Sequence, residues 1–405
     1  MATVTTMLVS VGGNGLLQGD GVSGGKALAV SRDGNLVAFY SLASNIFSPN
    51  PYGGDYVLKN LTNQSITAIT TGPKGETTNG VSGGASGGVD EVRLTPDGRY
   101  AVFGSSSQLT APALDKSGED IFRFNLLTGE RIVASVAQGG VNDYHSFAPD
   151  VSDNGRYIVY TNMDNLVSRP DVNSATDTDV YWYDTQTKAL KLVSGALDGS
   201  LQGNSDSGNG HVTNNGRYVV FASAAKNLLL FADSSNSIQV YLRDMVSDTV
   251  GLLSVNAAGE AANGGCQSVQ ITPDGHYVVF NSWASNLLAN DVSGYDVFRL
   301  DLHTGDLVLV NTSASGQQFN GSIEDPQITP DGRYVVFTSY SGSLAGLSYS
   351  SQNQVFVKDM QTGHIAMVSV DEKGAPGTSV AKAPQISDDG QYIVFSTASA
   401  LLASR

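Results

Sequence analysis

The phrase "ITPDGRYVVFTS" at 328–339 recurs six more times in near-copy. The other versions are "VSRDGNLVAFYS", "LTPDGRYAVFGS", "VSDNGRYIVYTN", "VTNNGRYVVFAS", "ITPDGHYVVFNS" and "ISDDGQYIVFST". Marked by the glycine of each D/N-G pair, the copies fall at Gly34, Gly98, Gly155, Gly216, Gly275, Gly332 and Gly390. The gaps are 64, 57, 61, 59, 57 and 58 residues. A period of this size means that one supersecondary unit is repeated along the chain. No other feature narrows the fold as much.

Residues 266–312 show what one unit contains. "SVQIT" leads into the turn "PDG", and "HYVVFNSW" follows, rich in the β-branched and aromatic residues that favour strands. After the loop "ASNLLANDVSG" come "YDVFRLDL", the turn "HTG" and "DLVLVNTS". Pro273 suits the start of a turn, and Gly275 supplies the left-handed conformation that a tight hairpin needs. Each unit therefore reads as four antiparallel strands. Sustained 3.6-residue periodicity is absent, so helices are expected to be scarce.

Seven such units predict an all-β, seven-bladed β-propeller, a single domain over 1–405, with blades set around a central channel. The blades are expected near 24–72, 88–137, 146–195, 207–256, 266–312, 323–370 and 381–405, the last completed by 3–11. The reason for the last assignment is that "TTMLVSV" near the start matches fourth-strand words such as "IAMVSV" at 365–370. Residues 5–11 are thus expected to form the outer strand of the last blade and to join it to the first.

"PDGRYVVF" followed by "DVFRLDLHTG" resembles the TolB-like (PD40/WD40-like) β-propeller repeat, and the resemblance extends over essentially the whole chain. Propellers of this kind serve transport complexes, surface binding, peptidase gating and polysaccharide cleavage, so the resemblance implies a fold and leaves function open.

The net charge is −16 and there is no run of Lys and Arg, which argues against nucleic acid as a partner. Only 15% of residues are charged, so Ser, Thr, Asn and the 46 glycines must cover much of the surface. That composition suits an extracellular, periplasmic or cell-surface protein, here expected to be a monomer. "MATVTTMLVSVGGNG" has neither a basic segment nor a long apolar run and does not read as a signal peptide. No stretch is apolar for long enough to insert into a membrane as a helix. Cys266 is the single cysteine, so no intrachain disulfide is available.

Alternating strand direction puts the short "DG" and "TG" hairpins on one face and the longer loops on the other. Binding groups concentrate on long loops, which makes that face the candidate functional one. Five residues before each marker glycine the chain carries Ala29, Arg93, Asp150, His211, Gln270, Gln327 and Gln385. Seven before it stand Glu91, Asn209, Ser268 and Asp325, on the same side of the strand. These are expected to line the channel mouth as a ligand site. The plainer reading is that they satisfy one another and bound water.

"DVNSATDTD" offers Asp171, Asn173, Asp177 and Asp179 to a hard cation such as calcium. Its spacing departs from the EF-hand, and a solvated Asp/Asn turn is the plainer reading. Thinner versions are Asp291 with Asp296, Asp115 with Asp120, and Asp233 with Asn236. His145 and His211, joined by Gln270 or Gln327, would give a transition-metal site resembling that of the propeller-based oligogalacturonate lyases. "GVSGG" at 21–25 and 80–84 and "GASGG" at 84–88 fit G-x-S-x-G, but no helix follows them, as a nucleophile elbow requires. Without a catalytic set, the leading expectation is a non-catalytic binding propeller engaging a protein or glycan partner through its long-loop face. The alternative is a metal-assisted polysaccharide lyase or hydrolase at the channel mouth. The tyrosines and phenylalanines that recur once per unit are expected to pack between blades.

Overall fold

Each copy of the repeat folds around a hydroxyl. Three residues before the turn glycine, Ser or Thr donates its Oγ–H to the Asp or Asn just before that glycine: Ser31 to Asp33 and Thr329 to Asp331, both at 2.6 Å. The same oxygen accepts the backbone N–H that opens the next strand, as Tyr334 N to Thr329 Oγ1 at 3.0 Å. All seven marker glycines have φ between 66° and 77°. This region costs a residue with a Cβ about 1–2 kcal/mol. Side chain and glycine together fix a two-stranded hairpin from local sequence alone.

The computed structural model describes residues 7–10, 23–46, 54–70, 92–106, 109–110, 119–137, 145–163, 165–167, 177–199, 201–229, 237–289, 291, 294–313, 315–319, 322–340, 352–399 and 401. Among these there is no helix. Six four-stranded antiparallel sheets span 23–68, 92–133, 146–192, 207–252, 266–309 and 323–367, each with its strands in sequence order. These are blades one to six. In blade five the inner strand is Cys266–Ile271, the second Tyr277–Ser282, the third Asp296–Asp301 and the outer Leu307–Leu309.

The seventh copy corrects the expected architecture. Ala381–Ile386 and Ile393–Thr397 form a two-stranded sheet, so the described residues make six four-stranded blades and one hairpin, not seven full blades. Nor do the described N-terminal residues 7–10 form a strand. The physical reason is that an outer strand needs a third strand to bond to, and among the described residues the hairpin has none. Val9 instead packs against the buried cluster that holds Leu28, Val37, Phe39 and Ala383, where blade one meets the hairpin. The hairpin's second strand is only half-buried along its length, Phe395 included.

Aromatic rings hold each blade together and then join it to the next. Within blades, second-strand rings stack on third-strand rings directly opposite. Phe280 and Phe298 lie 5.6 Å apart and Phe337 and Phe356 6.0 Å, all fully buried. Between blades, the residue two after each turn glycine, Leu36 in blade one and tyrosine in the others, lies beneath the turn glycine of the following blade. A Cβ on Gly332 would lie 2.2 Å from the Tyr277 ring, and one on Gly155 would lie 2.3 Å from Tyr100. Tyr392 of the hairpin stands in the same relation to Gly34 of blade one, at 2.3 Å. Beside it Arg32 pairs with Asp388 at 3.0 Å. The hairpin therefore touches blade one as well as blade six.

Further staples run from the third strand to the next blade's turn glycine carbonyl. Arg123 reaches Gly155 O at 2.7 Å, Trp182 reaches Gly216 O at 3.0 Å and Arg299 reaches Gly332 O at 2.8 Å.

Candidate functional site

The inner strands carry a bulge seven residues before the turn glycine. Ala148, Asn209, Ser268, Asp325 and Ala383 all have φ between 46° and 53°. The inner-to-second strand register shifts at these points. Left-handed backbone often marks a functional site, but its recurrence at two alanines shows that here it shapes the blade. The bulge lets the residues that follow resume the ladder and face the channel.

Two residues beyond the bulge stand the polar side chains that the sequence aligns. They pair across blade boundaries. Asp150 Oδ1 lies 3.4 Å from His211 Nδ1 and 3.7 Å from Arg93 Nε, while its Oδ2 accepts the Val212 N–H at 2.9 Å. Gln270 donates to Gln327 Oε1 at 2.9 Å and accepts the Ile328 N–H at 2.8 Å. Burial pushes the Asp150 carboxyl up, but the His211 charge and hydrogen bond, the Arg93 guanidinium and the Val212 amide outweigh it. The carboxyl is held below its ordinary value. Gln385 is half-buried in the corresponding place on the hairpin.

This row lies one residue from the end of each inner strand, nearer the hairpin turns than the long-loop mouth where the sequence reading put it. Asn209, Ser268 and Asp325 occupy the bulges above it, and Glu91 lies outside the described residues. On the hairpin side the channel opens into a cavity of about 380 Å³ lined by Arg32, Pro96, Asp97, Asp153, Asn154 and Asn214. Burial and the charge of Asp388 push the Asp153 carboxyl up to about 6, with Arg32 opposing.

Of the calcium candidates, Asp171 and Asn173 lie outside the described residues and Asp177 is half-buried. Asp179 is buried at the start of a third strand and accepts Ser194 Oγ–H at 2.5 Å. The pairing recurs blade by blade: Thr70 to Asp55, Ser135 to Asp120, Ser254 to Gln239, Asn311 to Asp296 and Ser369 to Gln354. Asp179 thus ties the outer strand's exit to the third strand's entry, a use the sequence did not reveal. Of the thinner pairs, Asp115, Asp233 and Asn236 lie outside the described residues. Burial raises both Asp291 and Asp296, the latter to about 6.

His145 precedes the strand Ser146–Val151 at its long-loop end, whereas His211 stands at the level of Asp150. Five residues of strand separate those levels, roughly 15 Å, so the two imidazoles do not converge. Cys266 is buried against Ser282 Oγ at 3.2 Å, and burial pushes its thiol up to about 11.

The long-loop face carries what the sequence reading passed over. Trp283 follows the second strand of blade five and is 58% exposed, yet its ring stacks on Tyr295 at 4.4 Å and 16°. Tyr295 is buried, and its carbonyl accepts the Ile323 N–H at 3.3 Å, which ties the platform to blade six. Gly264 lies so close that a Cβ there would stand 2.5 Å from the Trp283 carbonyl carbon. Tyr340, also exposed, occupies the same place in blade six, eight residues after its turn glycine. The available signal was an apolar aromatic at a position that is Ser106, Ala224 or Ala398 in other copies.

No family model matches the chain, and no curated protein matches it. Solved structures do. An oligogalacturonate lyase in complex with manganese superposes with a TM-score of 0.54 at 13% identity, over 93% of this chain and 87% of that one. A prolyl endopeptidase gives 0.55 at 11% identity over 93% of this chain, which spans only 46% of the peptidase. TolB from Acinetobacter baumannii matches at 0.44 and 16% identity, over 83% of this chain and 63% of TolB. The functions of these proteins differ, and what the chain shares with the first two is the β-propeller fold.

Proposed function

We propose that the protein is a binding propeller that takes a protein or glycan partner on its long-loop face, with the Trp283–Tyr295 stack as anchor. The observation that carries this is an indole left largely in water while its plane is already fixed by a buried ring. Such a ring gives up little conformational freedom on binding and offers a flat apolar surface to a sugar or an apolar side chain. The channel polar groups are largely engaged with one another, which favours recognition over chemistry at that level.

Tryptophan fluorescence tests the reading directly, because the chain has two tryptophans and Trp182 is buried. Titration with neutral and acidic oligosaccharides, and with an apolar peptide panel, is expected to shift the Trp283 emission. Trp283→Ala is expected to weaken whatever binds by about 30-fold, as for a loss of about 2 kcal/mol at a central aromatic, with the melting temperature unchanged. Undiminished binding by that variant would contradict the proposal. Turnover of any titrant that is lost in His211→Ala would replace it with a catalytic reading.

A further inference from the structure

In blades three, four and six, the residue after the turn glycine is an arginine that pairs with the aspartate closing the third strand. Arg156 meets Asp184 at 2.7 Å, Arg217 meets Asp244 at 2.8 Å and Arg333 meets Asp359 at 2.9 Å. Blade five departs from this. His276 takes the arginine's place, with its Nε2 3.2 Å from Asp301 Oδ1. Two residues after Asp301 stands His303, where those three blades carry Gln186, Val246 and Gln361. Its ring meets that of His276 edge-on at 4.2 Å. Both exchanges for histidine thus fall in one blade and on one carboxylate.

We propose that His276, Asp301 and His303 form a surface site for a divalent transition-metal ion such as Zn²⁺ or Ni²⁺, on the hairpin face of blade five. One ligand atom from each side chain lies within 4.8 Å of the others, the set of three that meets this test among the described residues. Two imidazole nitrogens beside a carboxylate oxygen suit zinc and nickel, whereas calcium takes oxygen ligands in larger number. Three protein ligands leave a fourth position for water or for a side chain from outside. The frame is already built. The His276 ring lies flat on Tyr277 at 4.0 Å and 15°, and its backbone N–H donates to Asp274 at 2.9 Å. Asp301 Oδ1 accepts the N–H groups of His303 and Thr304 at 2.8 and 3.1 Å, fixing the turn that carries the second imidazole. In the other three blades a permanent guanidinium occupies the carboxylate. Here an imidazole stands in the guanidinium's place. The site faces away from the proposed binding platform and does not depend on it.

Isothermal titration of tag-free protein with ZnCl₂ and with NiCl₂ tests the assignment. The expected result is one ion per chain, with affinity falling as pH drops and protons compete for the imidazoles. His276→Arg installs the residue of three sister blades and its ion pair, so it should fold with an unchanged metal-free melting temperature. It is expected to lose about tenfold or more in affinity, as is His303→Gln. Wild-type affinity in both variants would place the ion elsewhere and overturn the proposal. So would an absence of binding to the wild-type chain by either metal at neutral pH.

Discussion

Arg243→Ala is expected to destabilise the fold by about 3–8 kcal/mol, through an orphaned acceptor and a large cavity. Arg243 is fully buried, the largest side chain so placed among the described residues. Its Nη1 donates to Gly195 O at 2.7 Å and reaches Val193 O at 3.4 Å, both at the end of the preceding blade's outer strand. Its Nε donates to Asp248 at 3.1 Å, and Nη2 also bonds that carboxylate. Removal leaves the Gly195 carbonyl without this donor, worth about 1–3 kcal/mol for a buried group. The aliphatic stem leaves a void as well, and truncations of comparable size cost about 2–5 kcal/mol. Asp248 is 61% exposed and can turn to water, so it adds little. Lys59 and Lys358 hold the same place in blades one and six, donating to Gln64 O at 3.0 Å and Gly363 O at 2.8 Å. Equilibrium urea unfolding measures the cost; a loss under about 1 kcal/mol would show that the buried cation does not join these blades.

Gly332→Ala is expected to cost about 2–5 kcal/mol, the sum of two effects. Holding alanine at φ 70° costs about 1–2 kcal/mol. The added methyl would lie 2.2 and 2.3 Å from two Tyr277 ring carbons, and overpacking of this kind costs about 1–3 kcal/mol. Tyr277 has little room to yield, because Arg299 covers its ring at 4.6 Å and His276 stacks on it. Gly305→Ala supplies the control. Its φ is 79°, but nothing lies within 4 Å of the new methyl, so only the backbone cost applies. Equal losses in the two variants, measured by urea unfolding, would refute the interblade role given to the tyrosine.

What the sequence made legible was whatever is local. The D/N-G pairs mark hairpins because turn chemistry acts within four or five residues, and the repeat follows from counting them. The repeat phenylalanines are buried as expected, Phe103, Phe221, Phe280 and Phe337 completely. The outer strand expected at 5–11 was misread because "TTMLVSV" looks like an outer strand, while strand identity depends on a partner edge that the words do not encode. The repeat tyrosines read correctly as interblade packing, but not as the second reason for glycine at each turn. That contact joins residues 55 positions apart in the case of Tyr277 and Gly332. Asp150 with His211, and Gln270 with Gln327, were aligned by the repeat and brought together only by blade packing. The Asp179–Ser194 bond was not legible because the partners lie fifteen residues apart, across a hairpin. Trp283 carried no motif at all, and its meaning comes from Tyr295 beneath it.

The arrangement of sheets as a ring, with the two-stranded hairpin lying against blade one, underlies both the channel and the long-loop face. Spin labels at Arg32→Cys and Asp388→Cys test it most directly, since the native Cys266 is buried and burial pushes its thiol up to about 11. These residues are 356 positions apart in sequence and ion-paired at 3.0 Å. The account predicts strong dipolar coupling between the two labels at contact range. A separation on the order of 60 Å, as for an open row of seven sheets stacked about 10 Å apart, would contradict it.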